Sequence, residues 1–127
     1  MAEALLSVRS LVKHYGAVQA SDHFCLEVAR GELHALIGPN GAGKTTFFNC
    51  VTGVYTPTEG SVSICPPGGD EQKITGLKPD RIAARGLART FQNIRLFPKM
   101  TVLENVMIGR DCRLKAGILG AIFRDRR

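Results

Sequence analysis

Residues 38–46 read Gly-Pro-Asn-Gly-Ala-Gly-Lys-Thr-Thr, and this stretch decides the fold. It fits the pattern Gly-x-x-x-x-Gly-Lys-Thr, whose fixed positions are Gly38, Gly43, Lys44 and Thr45. Glycines let the backbone curl so that successive amide hydrogens point inward, and a following helix adds free N–H groups. Lys44 supplies a charge for the β- and γ-phosphates, and the Thr45 hydroxyl suits Mg²⁺. The stretch therefore predicts a loop that binds a triphosphate.

The residues around this loop predict the strand, loop and helix order that it needs. Residues 32–37 form a short, mostly apolar run that predicts a buried strand. Residues 45–51 predict a helix, and Gly53 is placed to end it. The alternative is a glycine-rich turn that binds nothing, but such a turn does not need Lys-Thr at the start of a helix.

Further strands and helices are predicted along the chain. Alternating or short apolar segments predict strands at residues 5–11, 24–28, 61–64 and 87–91. Helices are predicted from Pro79 to Arg85, where Gly86 follows, over 102–108, where Thr101 and Glu104 fit a capping box, and over 117–123. The chain is therefore expected to be of the α/β class.

Composition narrows the classes of function. The 127 residues have room for one small domain or part of a larger one. The net charge is +6, but the basic residues are scattered and do not alternate with aromatic residues, so nucleic acid is not expected as the main ligand. The four cysteines form no Cys-x-x-Cys pair, so their spacing does not predict a metal site. Cys25 and Cys50 lie in apolar runs and are expected to be buried.

The start of the chain predicts a reduced, cytosolic location. Glu3 interrupts a beginning that lacks the long apolar core of a signal peptide. No stretch approaches the about 20 apolar residues that a membrane-spanning helix needs.

Three segments together resemble the ATP-binding subunits of ABC transporters. Tyr15 is similar to the aromatic residue that stacks on adenine in that family. Residues 38–46 have the same sequence pattern as the family's phosphate loop. Residues 89–92, Arg-Thr-Phe-Gln, resemble the family's Q-loop, whose glutamine reaches Mg²⁺ and the attacking water. The resemblance covers essentially the whole chain, and its fold is a P-loop NTPase of ABC type.

A closer similarity is to the ATPases of branched-chain amino acid importers, carried by residues 48–53, 88–97 and 100–106. It implies a cytoplasmic subunit, peripheral on the inner face of the plasma membrane, that energises uptake of branched-chain or related amino acids. The implied partners are a second ATP-binding subunit, membrane permease subunits that contact the Gln92 region and, indirectly, a solute-binding protein.

The resemblance also implies the site residues and the cofactors, ATP and Mg²⁺. Lys44 and Gln92 are the implied catalytic residues, and Thr45 and Gln92 are the implied metal-binding residues. The implied nucleotide contacts are Tyr15, Val18, Gly38, Pro39, Asn40, Gly41, Ala42, Gly43, Lys44, Thr45 and Thr46. Apart from this resemblance, Tyr15 could be a turn aromatic, Val18 a core residue and Gln92 a solvated amide.

Residues 1–127 lack three motifs that the family pattern includes. The sequence has no Leu-Ser-Gly-Gly-Gln-like signature, no apolar run that ends in Asp-Glu and no switch histidine. Residues 1–127 are therefore expected to be the N-terminal part of one nucleotide-binding domain: an antiparallel β subdomain, the first part of a RecA-like core and the start of a helical subdomain. Such a chain is expected to be marginally stable, to bind nucleotide weakly and to hydrolyse almost none.

Two other classes remain open from the sequence. One is a soluble ATPase of the same superfamily that acts on ribosomes or DNA without a permease. The other is a small-molecule kinase, which shares the phosphate loop but lacks the early strands with Tyr15 and the Thr-Phe-Gln segment.

Overall fold

The computed structural model describes residues 4–91 and 96–110, which belong to two compact units divided after Arg89. The first unit is built on a four-stranded sheet with the strand order β2-β1-β3-β4, and every neighbouring pair is antiparallel. Its strands are β1 (Ala4–Tyr15), β2 (Val18–Ala29), β3 (Glu59–Ile64) and β4 (Gln72–Lys73). The predicted strands at 5–11, 24–28 and 61–64 are confirmed, and all three extend further than predicted.

The core of this unit is formed by β1 and by the helix that follows residues 38–43. Val8 and Leu11 are at most 1% exposed, because β1 is central and pairs with β2 on one side and β3 on the other. Phe47 and Cys50 of that helix belong to the same buried cluster. Each fully buried aliphatic side chain of this kind stabilises the fold by about 1.5–3 kcal/mol.

That helix is α1 (Lys44–Val51), and its boundaries follow from its flanking glycines. Gly43 precedes it in the left-handed conformation, and Gly53 follows it with φ 76°. The N–H groups of Thr52 and Gly53 donate to the carbonyl oxygens of Phe48 and Cys50, which closes the last turn. The predicted helix and its stop at Gly53 are confirmed.

The second helix of the unit is α2 (Pro79–Ala84), which confirms the prediction for Pro79 to Arg85 within one residue. Proline suits the first helical turn because the N–H that it lacks would have no partner there. The Ile82 side chain is 1% exposed and joins the core of the sheet.

The second unit contains α3 (Val102–Gly109), and the predicted capping box is confirmed. The Thr101 hydroxyl accepts from the Glu104 N–H, and the Glu104 carboxylate accepts from the Thr101 N–H. Both contacts satisfy N–H groups at the start of the helix that would otherwise lack a partner. The predicted helix at 117–123 lies outside the described residues.

Two predicted strands are wrong. Residues 32–37 and 87–91 have no strand conformation, and Leu33 and Ile37 are 98% and 88% exposed. A strand requires a neighbour to complete its backbone hydrogen bonds, and no described strand pairs with either segment. Apolar composition alone therefore overestimated the burial of these segments.

Cys25 is a further correction, since it is exposed and not buried. Ser10 and His23 have positive φ, and the register of β1 with β2 shifts between Val8 and Leu11. These irregularities change which side chains point to the core, which alternation in the sequence does not reveal. Cys50 is buried as predicted.

Candidate functional site

The phosphate loop is shaped by two glycines in the left-handed conformation. Gly41 has φ 85° and Gly43 has φ 80°. At Gly43 a Cβ atom would also overlap the Ala20 carbonyl oxygen of β2. A side chain at position 43 is therefore excluded twice, by backbone strain and by the neighbouring strand.

Lys44 closes the loop from inside. Its Nζ donates to the Gly38 carbonyl oxygen at 2.6 Å and to the Pro39 carbonyl oxygen at 2.7 Å. The half-buried ammonium thus lies over the loop backbone and adds a positive charge to the amide groups there. Thr45 is exposed at the second position of α1, where its hydroxyl is accessible.

The start of α1 is open to an anion. The Phe47 N–H makes the first helical bond, to the Gly43 carbonyl at 2.8 Å, so the preceding N–H groups have no partner within the helix. No side chain caps this end, and the first turn contains no acidic residue. An anion placed here gains hydrogen bonds and the positive end of the helix dipole without competition from a carboxylate.

A cavity of about 340 Å³ lies between the loop and β2, lined by Gly41, Gly43 and Lys44 among others. Its wall also includes Asp22, whose carboxylate is 2.6 Å from the His23 ring. A carboxylate repels phosphate. The amide groups of the loop and of the helix start are therefore the better place for a triphosphate than this cavity.

Tyr15 and Val18 lie on either side of the turn that joins β1 to β2, and they are paired in the ladder. Tyr15 is 42% exposed and Val18 is 65% exposed. The exposure of Val18 removes the alternative that it is a core residue. Both side chains are accessible to a ligand, although neither belongs to the phosphate loop.

The sequence did not reveal the neighbours of Tyr15. Tyr55, in the loop after α1, makes an edge-to-face contact with Tyr15 at a centroid distance of 5.7 Å. Lys13 Nζ lies 5.2 Å from the centre of the Tyr15 ring. No sequence motif links Tyr15 to Tyr55. The sequence shows only that the chain contains two tyrosines.

The sequence also did not predict that Arg89 contacts α1. Its guanidinium donates to the Asn49 amide oxygen at 2.7 Å and lies 5.9 Å from the centre of the Phe48 ring. Both partners are in the second half of α1, so Arg89 fixes the helix that begins at Lys44. Gln92, the implied Q-loop residue, lies outside the described residues.

Two groups near the loop have shifted pKa values. Burial raises the pKa of the Cys50 thiol, which therefore stays protonated and behaves as a small apolar side chain. The Ala29 N–H and then the His34 ring hold the pKa of Glu32 below its ordinary value, because both donate to the carboxylate. Glu32 thereby fastens the turn after β2, from which the chain runs towards the phosphate loop.

Comparison with protein families gives one match, to the model described as "ABC transporter", over residues 22–125. Two curated relatives are ATP-binding proteins of high-affinity branched-chain amino acid transport. LivG of Salmonella typhimurium is 41% identical over 98% of this chain and 47% of that protein. BraF of Pseudomonas aeruginosa is 40% identical over 98% and 47%. The chain thus spans about half the length of the curated relatives that it matches.

Solved structures with the same fold are also ATP-binding cassettes. The crystal structure of the ADP conformation of one cassette of an ABC transporter superposes with a TM-score of 0.75 at 33% identity. The match covers 98% of this chain and 47% of that one. The nucleotide-free form of a cassette matches with a TM-score of 0.74 at 32% identity, over the same shares.

Proposed function

The chain belongs to the ABC transporter family, and on that premise we propose that residues 1–127 are the N-terminal part of one ATP-binding domain of an importer. In the whole protein, ATP binding and hydrolysis would energise uptake of branched-chain or related amino acids. The substrate class is supported by relatives whose names describe branched-chain amino acid transport.

One observation carries the ATP-binding part of this proposal. The Lys44 ammonium lies 2.6 Å and 2.7 Å from two carbonyl oxygens of the loop, next to a helix start without a side-chain cap. This places a positive charge and several N–H donors around one short backbone segment. A triphosphate is the common biological ligand that needs so many donors at close range.

The residue roles follow from the chemistry of each group. Tyr15 stacks on adenine with Val18 beside it, while residues 38–46 wrap the phosphates and Lys44 neutralises their charge. The exposed Thr45 hydroxyl fits Mg²⁺, a cation that prefers oxygen ligands and retains several waters. Mg²⁺, when bound, would neutralise charge on the phosphate oxygens. Gln92 completes the proposed set near the metal and the attacking water.

The proposed assembly contains a second ATP-binding subunit, the permease subunits and, indirectly, a solute-binding protein. The permease contact is placed at the Gln92 region. Within residues 4–91 and 96–110, no helix is long and apolar enough to cross a bilayer. The proposed location is the cytoplasmic face of the membrane, where the permease subunits bind the protein.

Nucleotide titration tests the core of the proposal. ATP with Mg²⁺ is titrated into the chain by calorimetry, and Lys44→Ala is expected to weaken binding by about a hundred-fold, since it removes charge-assisted hydrogen bonds. Lys73→Ala is the matched control, because it removes an equal charge from exposed β4. Equal affinities of the wild-type chain and Lys44→Ala would contradict the proposal.

The importer part needs a separate measurement. The protein that contains this chain is tagged, and the membrane fraction is solubilised and purified through the tag. Permease subunits are expected to co-purify with it. Recovery with ribosomes or DNA in place of a membrane protein would overturn the importer proposal while leaving ATP binding intact.

A further inference from the structure

The Tyr15 ring contacts Tyr55, which is remote in sequence, and Lys13, which is two positions before it. The Tyr15 and Tyr55 rings meet edge to face, with centroids 5.7 Å apart and planes at 81°. This lies within the preferred range for aromatic pairs, 4.5–7 Å between centroids. Lys13 Nζ lies over the Tyr15 ring at 5.2 Å. A cation and an aromatic ring therefore both restrain this side chain.

The segment that contains Tyr55 is itself fixed on both sides. Lys13 Nζ donates to the Thr56 carbonyl oxygen at 2.8 Å, and the Thr58 N–H donates to the Val12 carbonyl oxygen at 2.8 Å. On the other side, the Tyr55 N–H donates to the Asn49 carbonyl oxygen of α1 at 3.0 Å. The Tyr55 ring is thus placed by the end of β1 and by the helix that starts at the phosphate loop.

Both rings keep accessible surface despite this contact. Tyr15 is 42% exposed and Tyr55 is 41% exposed, whereas the core residues of the unit are almost fully covered. A pair that served only to fill the core would have no reason to remain so open. The exposed part of Tyr15 is free to meet a flat ligand while Tyr55 limits the orientations of its ring.

We propose that Tyr55 is a positioning residue for the nucleotide base: it holds the Tyr15 ring in the orientation that stacks on adenine. The inference rests on the proposed ATP-binding function and deepens it. An exposed tyrosine samples several rotamers, and fixing one of them on binding costs entropy. A ring that is already held loses less, which raises affinity through preorganisation.

The role predicts a selective defect. Tyr55→Ala is expected to weaken ATP binding by about three- to ten-fold, the size expected from loss of one aromatic pair. Binding of inorganic tripolyphosphate, which has no base, is expected to stay within about two-fold of wild type. Tyr55→Phe keeps the ring and is expected to bind ATP like the wild type. Val54→Ala is the matched control, because Val54 is a neighbour of similar exposure without a ring.

A double-mutant cycle separates positioning from direct contact. Tyr15→Ala alone is expected to weaken ATP binding by about ten-fold, because base stacking is lost. Adding Tyr55→Ala in that background is expected to change nothing further, since Tyr55 acts through Tyr15. An equal loss in both backgrounds would show a direct contact of Tyr55 with ATP and overturn the positioning role.

Tyrosine fluorescence gives an independent signature. The chain has two tyrosines and no tryptophan, so in Tyr55→Phe all of the tyrosine emission comes from Tyr15. ATP is expected to quench this emission, after correction for its absorbance, and tripolyphosphate is expected to leave it unchanged. Emission that does not respond to ATP would contradict stacking on Tyr15.

The outcomes distinguish this inference from the function on which it rests. A wild-type chain that binds neither ligand, or binds both independently of Lys44, overturns the proposed function and the inference together. A chain that binds ATP through Lys44 but tolerates Tyr55→Ala overturns the inference alone. Equal weakening of ATP and tripolyphosphate by Tyr55→Ala would assign Tyr55 a general structural role and also overturn the inference.

Discussion

The two ends of the proposed nucleotide site are built in different ways. The phosphate end is a single stretch, residues 38–46, whose shape depends on its own glycines and on the start of α1. The base end joins β1 to the loop after α1, for example through Lys13 and Thr56, which are 43 positions apart. Backbone conformation therefore dominates at one end, and contacts between distant side chains dominate at the other.

This difference sets the sensitivity of each end to substitution. The phosphate end depends on backbone N–H and C=O groups, which most substitutions preserve, but it does not tolerate a change of backbone conformation. The base end depends on rings, a lysine and hydroxyl groups that single substitutions remove. α1 connects the two ends, since it begins at Lys44 and ends at Val51, four residues before Tyr55.

The largest effect is expected from Gly43→Ala, with Gly41→Ala as its matched control. Both positions have positive φ, which costs about 1–2 kcal/mol for a residue with a Cβ. Gly43 alone also meets the Ala20 carbonyl oxygen, while a Cβ at Gly41 meets nothing within 4 Å. Overpacking of this kind adds about 1–3 kcal/mol. Gly43→Ala should therefore lower the free energy of unfolding clearly more than Gly41→Ala in urea denaturation.

The same pair of variants also tests whether phosphate binding depends on the backbone conformation at position 43. Relief of the overlap at position 43 requires the loop to move, so Gly43→Ala is expected to weaken both ATP and tripolyphosphate by about a hundred-fold, as loss of several phosphate contacts implies. Equal stability and affinity of the two variants would show that the contact with β2 does not shape the phosphate end.

An intermediate effect is expected at the helix that connects the two ends. Arg89→Ala removes the 2.7 Å hydrogen bond to Asn49 and the contact with the Phe48 ring. Loss of a hydrogen bond to a charged group costs about 1.5–3 kcal/mol. We expect that decrease in the free energy of unfolding, measured by urea denaturation, with a parallel loss of ATP and tripolyphosphate binding because α1 serves both ends.

Arg89→Lys is the companion variant. Lysine keeps the charge but lacks the planar, multidentate group, so it should recover part of the stability and not all of it. Selective loss of ATP binding in Arg89→Ala, with tripolyphosphate unaffected, would break the idea that α1 couples the two ends.

The same contrast explains how much of the molecule could be predicted from its sequence. The helix α1 with its stop at Gly53, α2 and the capping box at Thr101 are confirmed, because each depends on residues within a few positions of one another. The antiparallel sheet of the predicted ABC-type fold is also present. The site roles remain predictions, and Gln92 lies outside the described residues.

What the sequence did not predict depends on distant partners. The Tyr15–Tyr55 contact arises from the return of the chain after α1 to the end of β1, and no local pattern encodes it. The apolar segment with Leu33 predicts a strand only if a neighbouring strand pairs with it and covers it, and the segment itself does not reveal such a partner. The exposure of Cys25 likewise depends on how β2 pairs with β1, because the register between these strands is irregular.

A smaller effect, confined to the base end, is expected from Thr58→Val. The Thr58 hydroxyl accepts from the His14 N–H at 3.1 Å, next to Tyr15, and valine keeps the shape without the acceptor. A partly solvated hydrogen bond contributes about 0.5–1.5 kcal/mol. We expect ATP affinity to fall by about two- to three-fold in calorimetry, with tripolyphosphate unchanged.

Thr56→Val is the control for that measurement. Thr56 contributes its backbone carbonyl to Lys13, and the substitution leaves this group in place. It should therefore bind ATP like the wild type. A loss of tripolyphosphate binding in Thr58→Val would mean that the two ends do not respond separately.

The smallest effect is expected at the approach to the phosphate end, where a titratable contact gives a pH dependence. The pKa of Glu32 is lowered, first by the Ala29 N–H and then by the His34 ring, so the folded state favours the ionised carboxylate. Its stabilising contribution is therefore complete above the ordinary pKa of glutamate, about 4.3, and is lost as the pH falls through the lower folded value.

The variant Glu32→Gln lacks this titration. The difference in free energy of unfolding between the wild type and Glu32→Gln should stay constant near neutral pH and decrease only in that acidic range. The same titration on Glu27→Gln, an exposed glutamate of β2, serves as the control. A difference that persists unchanged below the folded pKa would show that the Glu32 carboxylate does not fasten this turn.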